Sequence, residues 1–259
     1  MIIYNYHTHT SRCGHASGTD EEYVQAAIKA GYKVLGFSDH APYRHLPDPV
    51  NRMAWEELDG YISSITYLKE KYKDQIEIHL GLETEYAQDY LEERWELKNK
   101  VEYIILGQHF IDVPRHYPSF FRTNTDDEIR LYAKTLCAGM DSGLFTYVAH
   151  PDVFLNRQSE FTDVCREAAH MIGKKAQEND LPLEINIRGV SKGKKEFKEG
   201  LRYYYPHKDF WKILSQYDIK AVIGIDAHSP KNLLDQRAVE DGLKELFDLN
   251  IDIIKDPFI

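Results

Sequence analysis

The sequence has few cysteines and no long hydrophobic run, and each absence excludes a class of protein. The three cysteines, Cys13, Cys137 and Cys165, are odd in number and scattered along 259 residues. Because a disulfide-stabilised secreted domain needs paired cysteines, we expect reduced thiols and no structural disulfide. No segment approaches the ~20 apolar residues of a membrane helix, and the N-terminus lacks the pattern of a signal peptide. We therefore expect a cytoplasmic protein with no membrane partner.

Positive charge is also scarce. The chain has 32 Lys and Arg residues against 42 Asp and Glu residues, which gives a formal net charge of -10. Nucleic-acid binding draws much of its affinity from cations that neutralise phosphates, so this balance argues against nucleic acid as a partner. The 12 histidines are not counted in that charge, and bound divalent cations would offset several carboxylates locally. An anionic small-molecule substrate is therefore still compatible with the composition.

Short apolar segments alternate with segments of helical periodicity, which indicates an α/β protein with a parallel sheet. The predicted strands are residues 2–6, 34–37, 76–82, 103–106, 145–149, 183–187 and 221–225. The predicted helices are residues 20–30, 55–73, 126–140, 161–178 and 207–217. No linker or internal repeat interrupts the series, so we interpret residues 1–259 as a single domain. Residues 41–52, 113–125 and 189–206 are expected to be irregular loops.

Polar residues directly follow six of the seven predicted strands, and their placement bears on the architecture. Parallel strands can form an open doubly wound sheet, whose carboxyl ends line a crevice, or a closed barrel, whose carboxyl ends meet at one mouth. Convergence of so many polar residues favours the barrel. These residues are His7, His9, Asp39, His40, Glu83, His109, His150, Asp226 and His228. The sixth predicted strand leads instead into Asn186 and Arg188.

The types of these residues predict a metal centre with several ions. In His7-Thr8-His9 the two imidazoles point the same way, because side chains two residues apart in a strand share a face. A buried carboxylate such as Glu83 is costly unless it is paired or binds metal. His15, in the turn Cys-Gly-His-Ala, can fold back over the mouth. Imidazole and carboxylate ligands without thiolate pairs suit zinc, manganese or iron.

The ordered set His7-x-His9, His15, Asp39-His40, Glu83, His109, His150 and Asp226-x-His228 resembles the polymerase and histidinol phosphatase (PHP) superfamily. This resemblance implies a distorted (β/α)7 TIM-like barrel with three divalent metal ions. It implies one ion held by His7, His9, Glu83 and Asp226, a second by Glu83, His109 and His150, and a third by His15, His40 and His228. Asp39 would orient a ligand rather than bind metal.

Two segments, H-T-H-T-x-x-C-G-H-A at residues 7–16 and S-D-H-A-P at residues 38–42, resemble the histidinol-phosphate phosphatase branch of the superfamily. The expected function is hydrolysis of a small phosphate monoester, with L-histidinol phosphate, an intermediate of histidine biosynthesis, as the leading substrate. A hydroxide that bridges metal ions is the expected nucleophile. The predicted catalytic residues are Glu83, Asp226, His228 and Asp39.

Three further residues are candidates for binding the substrate. Arg188 and Arg157 follow the sixth and fifth predicted strands, and a guanidinium matches phosphate oxygens in bidentate geometry. Asn186 offers an amide for a hydrogen bond. The alternatives are another monoester, such as a nucleotide, sugar phosphate or phosphotyrosine, metal-assisted hydrolysis of a C–N bond, and metal binding without turnover. The oligomeric state does not follow from the sequence.

Overall fold

The computed structural model describes residues 2–48, 50–113, 117–122 and 125–258. Eight of the twelve strands in these ranges form one sheet, in the order β1-β2-β3-β4-β7-β8-β11-β12. Two antiparallel hairpins, β5–β6 and β9–β10, lie outside it. The strands are β1 (Tyr4–Asn5), β2 (Val34–His40), β3 (Glu77–Thr84), β4 (Tyr103–Leu106), β5 (Phe110–Asp112), β6 (Tyr117–Ser119), β7 (Tyr147–Val148), β8 (Leu183–Asn186), β9 (Lys195–Phe197), β10 (Gly200–Arg202), β11 (Lys220–Gly224) and β12 (Asp252–Ile253).

Helices connect the parallel strands, and capping residues fix where several of them begin. Thr19 and Glu22 form a reciprocal capping box at the start of the first helix, and Thr125 and Glu128 repeat it before the fourth. Gly31 ends the first helix in a left-handed conformation with φ of 86°, which favours glycine. The helices are α1 (Asp20–Ala30), α2 (Leu58–Tyr72), α3 (Leu91–Lys98), α4 (Asp126–Asp141), α5 (Asp163–Glu178), α6 (Arg188–Ser191), α7 (Lys208–Leu214), α8 (Pro230–Leu233) and α9 (Gln236–Glu245).

The sheet curls into a barrel that closes at the carboxyl ends of its strands. Beyond β1 and β11, Thr8 and Ala227 form a parallel bridge. The His9 N–H donates to the Ala227 carbonyl at 2.9 Å, and the Ala227 N–H donates to the His7 carbonyl at 3.1 Å. All neighbouring strands of the sheet are parallel. The expected TIM-like barrel is therefore confirmed, and its closure brings the residues after β1 and β11 together.

Tyr103 packs inside the barrel and ties three strands together. Its hydroxyl lies 2.7 Å from the Tyr6 carbonyl and 2.9 Å from the Phe37 carbonyl, and its single hydrogen is shared between them. A Cβ at Gly36 or Gly81 would lie 2.4 Å from the Tyr103 ring or hydroxyl, so only glycine leaves room for this side chain. One cluster of buried apolar residues spans the chain from Ile2 to Leu246, as expected for a single domain.

The structure adds elements that the periodicity did not indicate. Helices α3, α8 and α9 and strand β12 were not predicted, and each is short or weakly apolar. The segment 189–206, expected to be irregular, contains the β9–β10 hairpin and most of α6, whereas 41–52 has no helix or strand among its described residues. Cys13, Cys137 and Cys165 are free thiols, as expected. In the described ranges, no helix has the length and apolar character needed to cross a bilayer.

Candidate metal centre

The nine predicted metal ligands gather at the mouth of the barrel. Eight of them follow, or end, a strand of the same parallel sheet, and His15 reaches the mouth from the turn after residues Ser11–Cys13. A cavity of about 220 Å³ opens above them, and all of them except His7 line it. Its lining residues are His9, His15, His40, Asn51, Arg52, Glu83, Glu85, His109, Phe110, Phe121, His150, Arg188, Lys192, Asp226 and His228.

Glu83 lies at the centre of this group and is 1% exposed. Its Oε1 is 3.0 Å from His150 Nε2, and its Oε2 is 3.1 Å from His40 Nδ1. Both oxygens also lie 3.5 Å from further imidazole nitrogens, those of His7, His9 and His109. A Cβ at Gly107 would lie 2.0 Å from Glu83 Oε1, so the backbone of Gly107 leaves the space that this carboxylate occupies.

The histidines form three pairs in which the Nε2 atoms face each other. A hydrogen bond between two neutral imidazoles needs a hydrogen on one of the facing Nε2 atoms. In several of these rings the hydrogen is on Nδ1 instead, so such bonds do not explain all three pairs. The pairs are His7 and His9 at 3.1 Å, His109 and His150 at 3.3 Å, and His15 and His228 at 3.1 Å.

The pair of His15 and His228 shows this most clearly. His15 Nδ1 lies 2.9 Å from the Cys13 carbonyl and 3.0 Å from the Val50 carbonyl, and His228 Nδ1 lies 3.0 Å from the Asp226 carbonyl. Since carbonyl oxygens only accept, both Nδ1 atoms carry hydrogen and both Nε2 atoms of the neutral rings present lone pairs. Two lone pairs at 3.1 Å repel unless a cation lies between or beside them.

Buried carboxylate oxygens also indicate that the site binds a cation. Glu83 Oε2 and Asp226 Oδ1 are buried and make no hydrogen bond of acceptable geometry, although the Nδ1 atoms of His40 and His228, respectively, lie 3.1 Å away. Such an atom is costly to bury without a donor or a cation, and metal ligation removes that cost. Several sets of three side chains, among them His15, His40 and His228, have ligand atoms within 4.8 Å of one another. The seven imidazoles and two carboxylates therefore fit a divalent metal centre.

The pKa values of groups at the mouth shift in both directions. Nearby carboxylates raise the pKa of His7 and His109 against the effect of burial, whereas two carboxylates and His40 shift toward the forms that ligands need. Burial alone would raise the pKa of Glu83, but the nearby His109 and His7 bring it well below the ordinary value. His7 and Arg188 likewise bring the pKa of Asp226 down against the effect of burial. Burial, with His9 as a close neighbour, lowers the pKa of His40 to about 3. Two anionic carboxylates and a neutral imidazole are the forms that coordinate a cation.

The three residues predicted to bind substrate lie in three different environments. Arg188 lines the cavity, and one of its Nη atoms donates to the Asp226 carbonyl at 3.2 Å. Arg157 lies instead in an adjoining groove with Lys195, Lys198 and other residues. Asn186 is fully buried and does not line the cavity, because its amide donates to side chains beneath the mouth. A residue that directly follows a strand can face the barrel interior as well as the mouth, which the sequence did not distinguish.

Asp39, predicted to be catalytic by orienting a ligand, lies beneath the mouth and does not line the cavity. Its Oδ1 is 3.5 Å from His9 Nδ1 and accepts the His40 backbone N–H at 2.8 Å. Its Oδ2 accepts a hydrogen bond from the Thr10 hydroxyl. These contacts are those of a residue that supports two ligands from behind.

Glu85 and Arg52 belong to the site although the sequence did not single them out. Glu85 Oε1 lies 3.1 Å from His109 Nδ1, and Glu85 Oε2 pairs with Arg52 Nη1 at 3.2 Å. Phe121 stacks on His109 with ring centroids 5.5 Å apart. The signal for Glu85 was present, since it shares a strand face with Glu83 two residues earlier. Arg52 comes from a loop and Phe121 from the short 3-10 helix Phe120–Arg122, where spacing carries no such signal.

A parallel barrel with a histidine and carboxylate centre at its carboxyl end defines a class of metal-dependent barrel enzymes. The sequence profile of the PHP domain matches residues 5–259, which is almost the whole chain. The chain therefore belongs to the PHP domain family, as the ligand order had indicated.

Similar proteins agree with this membership. A Deinococcus radiodurans protein named "Probable histidinol-phosphatase" is 28% identical over 254 residues, which cover 94% of this chain and 92% of the relative. The histidinol-phosphatase of Bacillus subtilis is 36% identical over 93 residues, which cover 34% of this chain and 35% of the relative. A crystal structure of the Lactococcus lactis histidinol phosphate phosphatase, complexed with zinc, L-histidinol and phosphate, superposes with a TM-score of 0.75. The superposition covers 98% of this chain and 96% of the Lactococcus lactis chain. At 18% sequence identity, this similarity shows a shared fold.

Proposed function

We propose that the chain is a metal-dependent phosphatase that hydrolyses L-histidinol phosphate to L-histidinol and phosphate. The observation that carries the proposal is the convergence of three imidazole pairs around Glu83 at the mouth of a barrel. The near full-length similarity to the Deinococcus radiodurans relative supports the choice of substrate.

The three imidazole pairs support a centre of three ions. Each pair contributes to a different one of the sets that the family resemblance implies. His7 and His9 pair beside Asp226, His109 and His150 pair beside Glu83, and His15 and His228 pair near His40. Zinc, manganese and iron all suit these donors, and their availability in the cell decides between them. Divalent ions in such a centre lower the pKa of water toward ~7 and stabilise charge on the attacking and leaving oxygens.

The residues of this chain bind and orient the ester for in-line attack by water. Arg188 presents the rest of its guanidinium to the cavity while the Asp226 carbonyl holds one Nη. Lys192, one helical turn later, also lines the cavity and adds positive charge for a phosphate. Phe110 and Phe121 line the β4 side of the cavity and offer aromatic surfaces to an imidazole ring.

The size of the cavity fits a small monoester. About 220 Å³ lies below the ~300–1,000 Å³ typical of sites for drug-sized ligands. The cytoplasmic location inferred from the sequence stays a prediction, as does the absence of a nucleic-acid partner.

A substrate panel tests the proposal. Phosphate release by purified, zinc- or manganese-loaded protein would be measured with histidinol phosphate, a nucleotide, a sugar phosphate and phosphotyrosine. We expect histidinol phosphate to have the highest kcat/KM. A much higher kcat/KM for another monoester would move the chain to a different substrate class. No phosphate release from any of them, nor from a generic aryl phosphate, would leave C–N hydrolysis or metal binding without turnover.

A further inference from the structure

Strand β8 supplies no predicted metal ligand, yet it carries two polar side chains in the barrel interior. Glu184 and Asn186 are each fully buried. They point to the same face of the strand because they are two residues apart. An anionic side chain in such a place is costly unless donors satisfy both of its oxygens. The hydrogen-bond partners of Glu184 therefore indicate its role in the barrel.

Three hydrogen-bond donors converge on the Glu184 carboxylate. His7 Nδ1 lies 2.8 Å from Oε1, while the His150 backbone N–H at 3.0 Å and the Asn186 amide at 2.8 Å reach Oε2. Among the described residues, no lysine or arginine forms an ion pair with Glu184. Only a group that accepts at both oxygens satisfies all three donors, and glutamine accepts at one atom alone.

Glu184 and Asn186 also hold two metal-ligand candidates whose backbones are unusual. His150 and Asp226 have positive φ values of 30° and 52°, a region that residues other than glycine rarely adopt. They follow β7 and β11, the two neighbours of β8 in the sheet. Glu184 accepts the His150 N–H, and the Asn186 amide donates to Asp226 Oδ2 at 3.3 Å. Such backbone conformations persist where surrounding contacts fix them. The hydrogen bond from the His150 N–H to Glu184 is a contact of this kind, while Asn186 holds the Asp226 side chain.

The strand beside Glu184 leaves space for its carboxylate. Gly224 of β11 pairs with Asn186, and a Cβ at Gly224 would lie 1.6 Å from Glu184 Oε1. Any other residue at this position would displace the carboxylate from His7. The barrel is thus shaped around Glu184 in the same way that Gly107 leaves space for Glu83.

We propose that Glu184 and Asn186, here called the β8 clamp, are positioning residues that set the metal affinity of the centre. The clamp keeps the hydrogen of His7 on Nδ1, so that Nε2 faces the metal site. It also holds the His150 backbone through its N–H and the Asp226 side chain through Oδ2. Partners of this kind behind a ligand typically change metal affinity or activity by ~10–100-fold. The inference rests on the proposed metal-dependent function for the identity of the ligands.

The experiment is a zinc titration of the metal-free protein against a competing chelator, without substrate. Glu184→Gln should weaken zinc binding by about 10–100-fold. The matched control is Glu102→Gln, because Glu102 Oε2 also lies 2.8 Å from a histidine Nδ1, that of His79, but away from the mouth. Zinc affinity of the control should equal that of the native chain. An affinity of Glu184→Gln within about twofold of the native value would overturn the proposal.

A second measurement separates positioning from a general structural role. The rise in melting temperature on adding zinc should be smaller in Glu184→Gln than in the native chain. A residue that only stabilised the barrel would lower the melting temperature equally with and without zinc, and that result would also overturn the proposal. If Glu184→Gln does not fold, Asn186→Ala is measured in the same two assays. Zinc affinity equal to that of the native chain in Asn186→Ala would then overturn the proposal. A native chain that binds zinc but hydrolyses no phosphate ester would contradict the proposed function and leave the clamp standing.

Discussion

The metal-facing floor of the cavity and its rim are built in different ways. The floor consists of side chains at strand ends, such as His9, Glu83 and His150, which are almost fully buried and held by neighbouring strands. The rim consists of loop and helix residues, such as Arg52, Phe121 and Lys192. The difference teaches that a rigid sheet fixes the ligands, while connecting segments, which vary more freely, shape the space for substrate. We therefore expect substitutions in the floor to lower both metal content and kcat/KM, and substitutions in the rim to lower kcat/KM without changing metal content.

The largest effect is expected on the floor, at Glu83. Glu83→Gln keeps the volume but removes the charge that five imidazoles surround. Removing one partner of a buried charged group costs about 3–5 kcal/mol of stability. We expect a loss of similar size in transition-state stabilisation, because the ions act on the reacting atoms, and such a loss lowers kcat/KM roughly 100-fold or more. Metal content, measured by elemental analysis on the same preparation, should fall together with turnover. Full metal stoichiometry with near-native kcat/KM would mean that Glu83 does not bridge ions.

The floor was also the part that the sequence predicted best. Parallel strands place their carboxyl ends at one edge, so the sequence could predict that nine candidate ligands, taken from strand ends, the His15 turn and the family pattern, lie together. The structure brings them together, and their binding of metal stays a prediction. Periodicity also located seven of the eight strands of the barrel sheet. Strand β12 and helices α8 and α9 were missed because two to four residues, or a helix of mixed polarity, give little periodic signal.

The rim and the interior were predicted less well, for a physical reason. Which way a side chain points after the last strand residue depends on the local backbone. Asn186 was expected at the mouth, but its amide faces Glu184 and Asp226 in the interior. Glu184 itself looked like one acid in an apolar strand, and its role depends on contacts with residues up to 177 positions away in the chain. Such contacts exist only once the barrel has closed.

An intermediate effect is expected at Arg188, on the rim. Arg188→Ala should leave the metal content unchanged and reduce kcat/KM, because a charged hydrogen-bond partner of the phosphate contributes ~1.5–3 kcal/mol, or roughly 10- to 150-fold. Arg188→Lys should recover part of the loss, since a point charge cannot reproduce the bidentate fork. Steady-state kinetics and metal analysis on the same preparations make the comparison. Lost metal would show that Arg188, through the Asp226 carbonyl, belongs to the floor instead.

The smallest effect is expected at Arg157, which lines the adjoining groove rather than the cavity. Arg157→Ala removes the same charged group as Arg188→Ala, so the two variants form a matched pair that differs in position. At a distance from the phosphate, a solvated cation acts only through a field that salt screens within ~10 Å at 0.1 M. We therefore expect native metal content and a fall in kcat/KM of no more than about threefold, which should disappear as ionic strength rises. A loss comparable to that of Arg188→Ala, and independent of salt, would show that Arg157 contacts the phosphate directly and that the rim extends into the groove.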